Sequence, residues 1–300
     1  MLAVAQGKVK KKPINCSQYC AHFLGVPIEK IKATFQATTQ FATNVMAGNK
    51  ILQTIKLPWP ANNVRQRNEP VATDTVKAQV PAGNDGSTMA QLFIGRKSLV
   101  SDAYGVKTDA AFINTLEDTI RQRRAMDKLI SNGAQAELSD RAKDVLRALC
   151  IDDWHSEAHY QHKNFAEHHW RHIKKNVEWL MNLRKCPPEV WLLALQYVCG
   201  VMNHTAEKSL GNRPPLQILE GYTINVSILL YFLFWDVVYV SRVDDKEYHG
   251  QIGSKKSSLV CGRMVGFAWN VGHGLTCKVL ADETQKIICR SRLRQMQKTK

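Results

Sequence analysis

"VATDTVKAQVPAGNDGSTMAQLFIGRKSLVSDAYG", residues 71–105, decides how this chain is read. Three apolar runs stand in it. "VATDTV" (71–76) is short and β-branched, and "MAQLFIG" (89–95) and "SLVSDAYG" (98–105) have the same texture, so all three read as strands. "PAGNDGST" (81–88) between the first two is turn chemistry, dense in residues that accept tight or left-handed backbone.

The period then changes. Over 107–127 Phe112, Leu116 and Ile120 recur every four residues, a helical stripe. "KLIS" (128–131) returns to a strand and runs into Asn132-Gly133. Residues 137–150 read as a helix with Leu138, Val145 and Leu149 facing in. A helix over 163–184 carries Trp170, Ile173, Val177 and Leu180 as its apolar stripe. A largely buried helix follows over 189–204. Three strands, a helix, a strand and further helices predict an α/β or α+β sandwich.

The flanks differ from this centre. Residues 1–12 form a basic tail, 27–46 have helical spacing in part, and 57–70, with three prolines, reads as an extended linker. Past residue 235 the texture is again β: "DVVYV", "CGRMVGFAWN", "GLTCKVLAD" and "KIICRSRL" are short strands parted by turns, a small β-barrel or sandwich. The division expected is 1–60 as basic tail and helical remnant, 61–205 as core, 206–235 as connector and 236–300 as a small β-rich domain.

Composition narrows the function. An apolar fraction of 44% is enough for a core, and a formal net charge of +15 suits a polyanionic partner, nucleic acid first. The most apolar run, "ILLYFLFW" (228–235), is far short of the roughly 20 residues that span a bilayer, so no membrane role is expected. The opening residues lack the apolar stretch of a secretory signal, and the eight cysteines are scattered, which reads as an unsecreted protein with reduced thiols. Cys16 and Cys20 lie near His22 without a second ligand pair, and the histidines at 155, 159, 162, 168, 169 and 172 follow no zinc spacing. Both groups read as ordinary side chains.

Two acids stand out. Asp74 lies inside an apolar strand, which tolerates a carboxylate only at an open edge or when it is paired or metal-bound. Glu167 opens the helix over 163–184 and shares a polar face with Arg171, Lys174 and Glu178. The plain reading of that face is a solvated i,i+4 charge ladder. The sharper one is a metal-binding carboxylate beside two cations that hold a phosphate backbone.

The run from "EPVATDTV" (69–76) through 89–131 to "HKNFAEHHWR" (162–171) and "MNHTAEKSLGNRPPLQILEG" (202–221) resembles the integrase region of copia-type retrotransposon polyproteins. The stretch "GRMVGFAWNVGHGLTCKVLADETQKIICRSRLR" (262–294) is similar to the β-rich segment after the catalytic core there, and the resemblance spans about 27–295. It implies a ribonuclease H-like mixed sheet flanked by helices, followed by a small all-β domain. It also implies three carboxylates holding two divalent ions, Mg²⁺ or Mn²⁺, for phosphoryl transfer by a DNA 3′-hydroxyl. Carried over, the first acid falls on Asp74 and the third on Glu167; both are the implied metal ligands. The second catalytic position falls on Asn132, or on Ser131 if the register shifts by one. Asparagine offers one neutral oxygen and an NH₂ that cannot ligate, so metal binding is expected to be weakened. Asp127 is too far back to stand in, and Glu137 is a poor substitute. DNA is the implied partner, with Arg171, Lys174, Arg290, Arg292 and Arg294 as contacts (Lys298 continues that basic tail). A homo-oligomer and a nuclear location are implied too, with the cytoplasm as the other possibility. Two alternatives stand beside this: a DNA-binding protein of the same fold that does no chemistry, and a ribonuclease H-like nuclease.

Overall fold

The computed structural model describes residues 14–40, 60–132, 139–155, 165–241, 259–272 and 274–295. The basic start, Glu137, Leu138, His159, His162 and Lys298 lie outside the described residues.

After a 3₁₀ segment at Cys16–Phe23 come α1 (Ile28–Ala37), β1 (Pro70–Lys77), β2 (Met89–Gly95), β3 (Ser101–Val106), α2 (Phe112–Arg123) and β4 (Lys128–Ser131). Next are α3 (Asp140–Ala148), β5 (Asp152–His155), α4 (Phe165–Arg184), α5 (Trp191–His204) and α6 (Pro215–Glu220). The chain then gives β6 (Val237–Ser241), β7 (Leu259–Phe267), β8 (Cys277–Ala281), β9 (Ile287–Arg290) and β10 (Leu293–Gln295).

The first sheet has the order β3-β2-β1-β4-β5. β1 to β3 form an antiparallel meander, and β4 and β5 extend it in parallel. Successive side chains point to opposite faces. Val71, Phe93 and Leu129 therefore pack with Phe112, Leu116, Ile120, Ala142 and Leu146 of α2 and α3. Their neighbours Ala72, Leu92 and Ile130 pack with Ile173, Leu180 and Leu192 of α4 and α5. Helices on both faces explain why the central strands read as unbroken apolar runs. The expected fold class, a mixed sheet flanked by helices with a C-terminal all-β part, is what the structure shows.

Four details depart from the sequence reading. β5 was not expected: "DDWH" is an edge strand whose acidic side chains face solvent, so it carries no apolar period. In α3 the fully buried stripe is Ala142 and Leu146, with Val145 and Leu149 half-buried beside it. Residues 67–70 are no free linker. The Arg67–Glu69 ion pair is buried, with side chains 1% and 3% exposed. Glu69 also accepts from the Lys97 and Ser98 backbone N–H groups at 2.9 and 2.8 Å and from Ser98 Oγ at 2.7 Å. Gly95 makes room for this cluster, since a Cβ there would lie 2.6 Å from Ser98 Oγ and 2.7 Å from Glu69 Oε1. Finally, Arg290 and Arg294 are not in a tail: Arg290 ends β9 and Arg294 sits within β10.

The second sheet is antiparallel throughout, in the order β10-β6-β7-β8-β9. Its two edge strands are consecutive in the chain, joined only by Ser291 and Arg292, so the sheet must curl to bring its edges together. Met264, Val265 and Phe267 of β7 share one apolar cluster with α5. The Tyr197 and Phe267 rings stack at 5.0 Å between centroids. Ile228, Leu229 and Phe234, from the stretch between α6 and β6, are buried in the same cluster. Arg184 at the end of α4 donates to the Phe234 carbonyl at 2.8 Å and pairs with Asp236.

Candidate functional site

Asp74 is half-buried in the middle of β1, between the buried Thr73 and Val76 of the same strand. β1 and β4 run parallel with Ala72 opposite Ile130. Two residues on from each are Asp74 and Asn132, which by the period of the strand lie level on the same face. They meet there, Asn132 Nδ2 donating to Asp74 Oδ1 at 3.1 Å. Glu167, in the first turn of α4, lies near enough for its charge to act on Asp74. Burial pushes the Asp74 carboxyl above its ordinary value, and the Glu167 charge pushes the same way. The Thr75 backbone N–H and the Asn132 amide act against both. Asp74 and Asn132, 58 residues apart in the chain, therefore meet, with Glu167 within electrostatic reach of Asp74.

The register alternative fares differently. Ser131 points to the opposite face, fully buried, and its Oγ bonds His155 Nδ1 at 2.6 Å. The other ring nitrogen, Nε2, bonds Asp153 Oδ2 at 2.9 Å. Nothing in the sequence pointed to this Ser131–His155–Asp153 chain, because β5 itself went unread. Asp127 precedes β4, its N–H bonded to the Glu69 carbonyl at 3.3 Å. It lies about 16 Å back along the strand, out of reach of Asp74.

The cations on α4 carry partners of their own. Arg171 donates to Glu167 Oε1 at 3.1 Å, and Lys174 lies 3.8 Å from Glu178. The Arg171 side chain is 69% exposed, and both members of the Lys174–Glu178 pair are 59% exposed, so the geometry of the solvated ladder is present. Such pairs are worth about 0.2–1 kcal/mol and exchange readily for another anion. His168 and His172 meet edge to face at 5.3 Å. Burial and those two imidazoles lower the pKa of His169. Arg290 ends β9, Arg294 lies in β10 and Arg292 stands in the short connection between them. All eight cysteines are unbridged, and His22 Nδ1 bonds the Leu229 carbonyl at 2.7 Å.

The donor set can be tested against a divalent cation. Among the described residues no three acids, histidines or cysteines come together in a way that would hold one. Asp74 and Glu167 supply two carboxylates, and one oxygen of Asp74 already accepts from an amide. Two hard divalent ions side by side need more anionic oxygen than this. The residues present do not fit a metal pair.

No protein-family model matches the chain, and no curated protein matches it. Solved structures do. The catalytic core domain of HTLV-2 integrase in complex with magnesium aligns with a TM-score of 0.41 and 12% identity, over 51% of this chain and 97% of that one. The catalytic core domain of BIV integrase aligns with a TM-score of 0.41 and 14% identity, over 51% and 95%. The simian T-cell lymphotropic virus intasome in complex with the PP2A regulatory subunit B56 gamma gives 0.41 and 12%, over 77% and 83%. Scores and identities this low say nothing of activity, metal or partner. Among the described residues no helix is long and apolar enough to cross a membrane.

Proposed function

We propose that this chain is an integrase-like protein that binds DNA through a ribonuclease H-like core, and that its metal-dependent phosphoryl transfer is impaired at Asn132. The observation that carries the reading is the Asn132–Asp74 hydrogen bond between β4 and β1, with the Glu167 charge acting on Asp74, where the copia-type resemblance calls for three acids. A net charge of +15 supports the polyanionic partner. In this reading 61–205 is the core, 206–235 connects it to a β-rich part over 236–300, and Arg171 and Lys174 exchange their acidic partners for DNA phosphates. Asp74 and Glu167 hold a single Mg²⁺ or Mn²⁺ loosely. Self-association and a nuclear location come with the resemblance.

A second reading, a DNA-binding protein that does no chemistry, is favoured by the same Asn132–Asp74 bond, since an amide occupies the oxygen a metal would use. Calorimetric titration of Mn²⁺ separates the two. On the first reading the chain binds one ion weakly and Asn132→Asp binds tightly with some DNA nicking restored. If Asn132→Asp gains neither affinity nor nicking, Asn132 is not the missing metal position and the integrase reading is lost.

A further inference from the structure

Where the second sheet curls, a cavity of about 710 Å³ opens between β6, β10 and the stretch after α6. Its walls combine aromatic rings and guanidinium groups: Tyr231, Phe232, Tyr239, Arg292 and Arg294 line it. The pairing register sets part of this. Tyr239 stands directly opposite Arg294 on β6 and β10, so their side chains share a face. Arg292, two residues before Arg294, returns toward that face by the same alternation. None of the described residues that line the cavity is acidic. Tyr231, 58% exposed, stands in solvent with its ring available for stacking.

An exposed ring, Tyr231, and the part-buried Phe232 and Tyr239 beside two arginines, with no acid among the described lining residues, are the chemistry that holds a single nucleic-acid strand. The rings stack unpaired bases and the guanidinium groups take the phosphates. Paired bases present no free face to a ring, so a duplex could use the arginines alone. We infer that this groove binds single-stranded DNA, an unpaired end or a displaced strand. The inference rests on the nucleic-acid reading above and deepens it by naming the form of DNA that the second sheet takes.

The test uses the full chain and fluorescence anisotropy. A labelled thymidine oligonucleotide, its hybridised duplex and the uridine oligonucleotide of the same length are titrated at two salt concentrations. The single DNA strand is expected to bind more tightly than the duplex. Tyr231→Ala should weaken single-strand binding about 5- to 150-fold and leave the duplex unchanged. Tyr231→Phe, which keeps the ring, should restore it. Arg292→Gln with Arg294→Gln should lower the single-strand salt slope by about 1.4. Equal affinity for strand and duplex, or no loss in Tyr231→Ala, overturns the inference and leaves duplex DNA binding intact. Tighter binding of the uridine strand overturns the assignment to DNA. Failure of every oligonucleotide to bind overturns this inference and the proposed function together.

Discussion

Replacing Asn132 with Asp places a third carboxylate against two others. The Asn132 amide now donates to Asp74 Oδ1 at 3.1 Å, so the exchange removes a bond to a charged acceptor and sets a like charge in its place. Two unit charges about 4 Å apart interact by about 4 kcal/mol at an effective dielectric of 20. Asp74 is half-buried, so solvent screens part of this. A net cost of about 1–3 kcal/mol remains without metal. For a chain of this size each kcal/mol moves the melting temperature by about 2–4 °C, so Asn132→Asp should melt roughly 2–12 °C below the parent at neutral pH. Divalent metal should reverse the sign. With three anionic groups converging, free Mn²⁺ at 100 times its Kd adds about 2.7 kcal/mol to the folded state. Differential scanning fluorimetry with and without Mn²⁺ reads both effects. An apo melting temperature equal to the parent's would mean that the three side chains do not share one pocket. A loss that Mn²⁺ does not recover would mean that they share it without being arranged for a cation.

Glu69→Gln leaves the Arg67 charge buried and unpaired, which should cost about 3–5 kcal/mol in urea unfolding. Burial raises the Glu69 carboxyl, but Arg67 and the Ser98 bonds outweigh it and hold it below the ordinary 4.5. Its contribution is thus present above 4.5 and lost as pH falls through the lower folded value, an acid limb that the variant should lack. Asp74 runs the other way. Its folded pKa is raised above 3.8, so its stability contribution is full below 3.8 and lost as pH rises through the folded value. Asp74→Asn should therefore melt higher than the parent at neutral pH and equal to it in acid; no gain at neutral pH would contradict the burial of that charge beside Glu167. Arg171→Ala with Lys174→Ala should reduce the slope of duplex-DNA affinity against salt by about 2 while moving stability by less than about 1 kcal/mol. An unchanged slope removes these cations from the DNA interface.

The elements with both faces buried were legible in the sequence. β1 and β2 announce themselves as apolar runs because both faces are covered, and α2 by the four-residue period of its one buried face. The curled second sheet was legible from its short runs and turns, although "KIICRSRL" hid two strands, β9 and β10, in one reading. β5 was not, since a solvated edge strand of acids carries no period. Asp74 and Glu167 could be picked out as unusual acids, yet their convergence depends on which strand lies beside β1. The register of Ala72 against Ile130 puts Asn132 against Asp74 and turns Ser131 away to His155. The buried Arg67–Glu69 pair, inside proline-rich sequence, needed Ser98 brought back by the β2–β3 turn to satisfy it. Periodicity is a local property of the chain, set by each residue's own backbone. Pairing partners, charge neighbours and the choice of face are set through space, by segments whose distance along the sequence carries no information about which of them will meet.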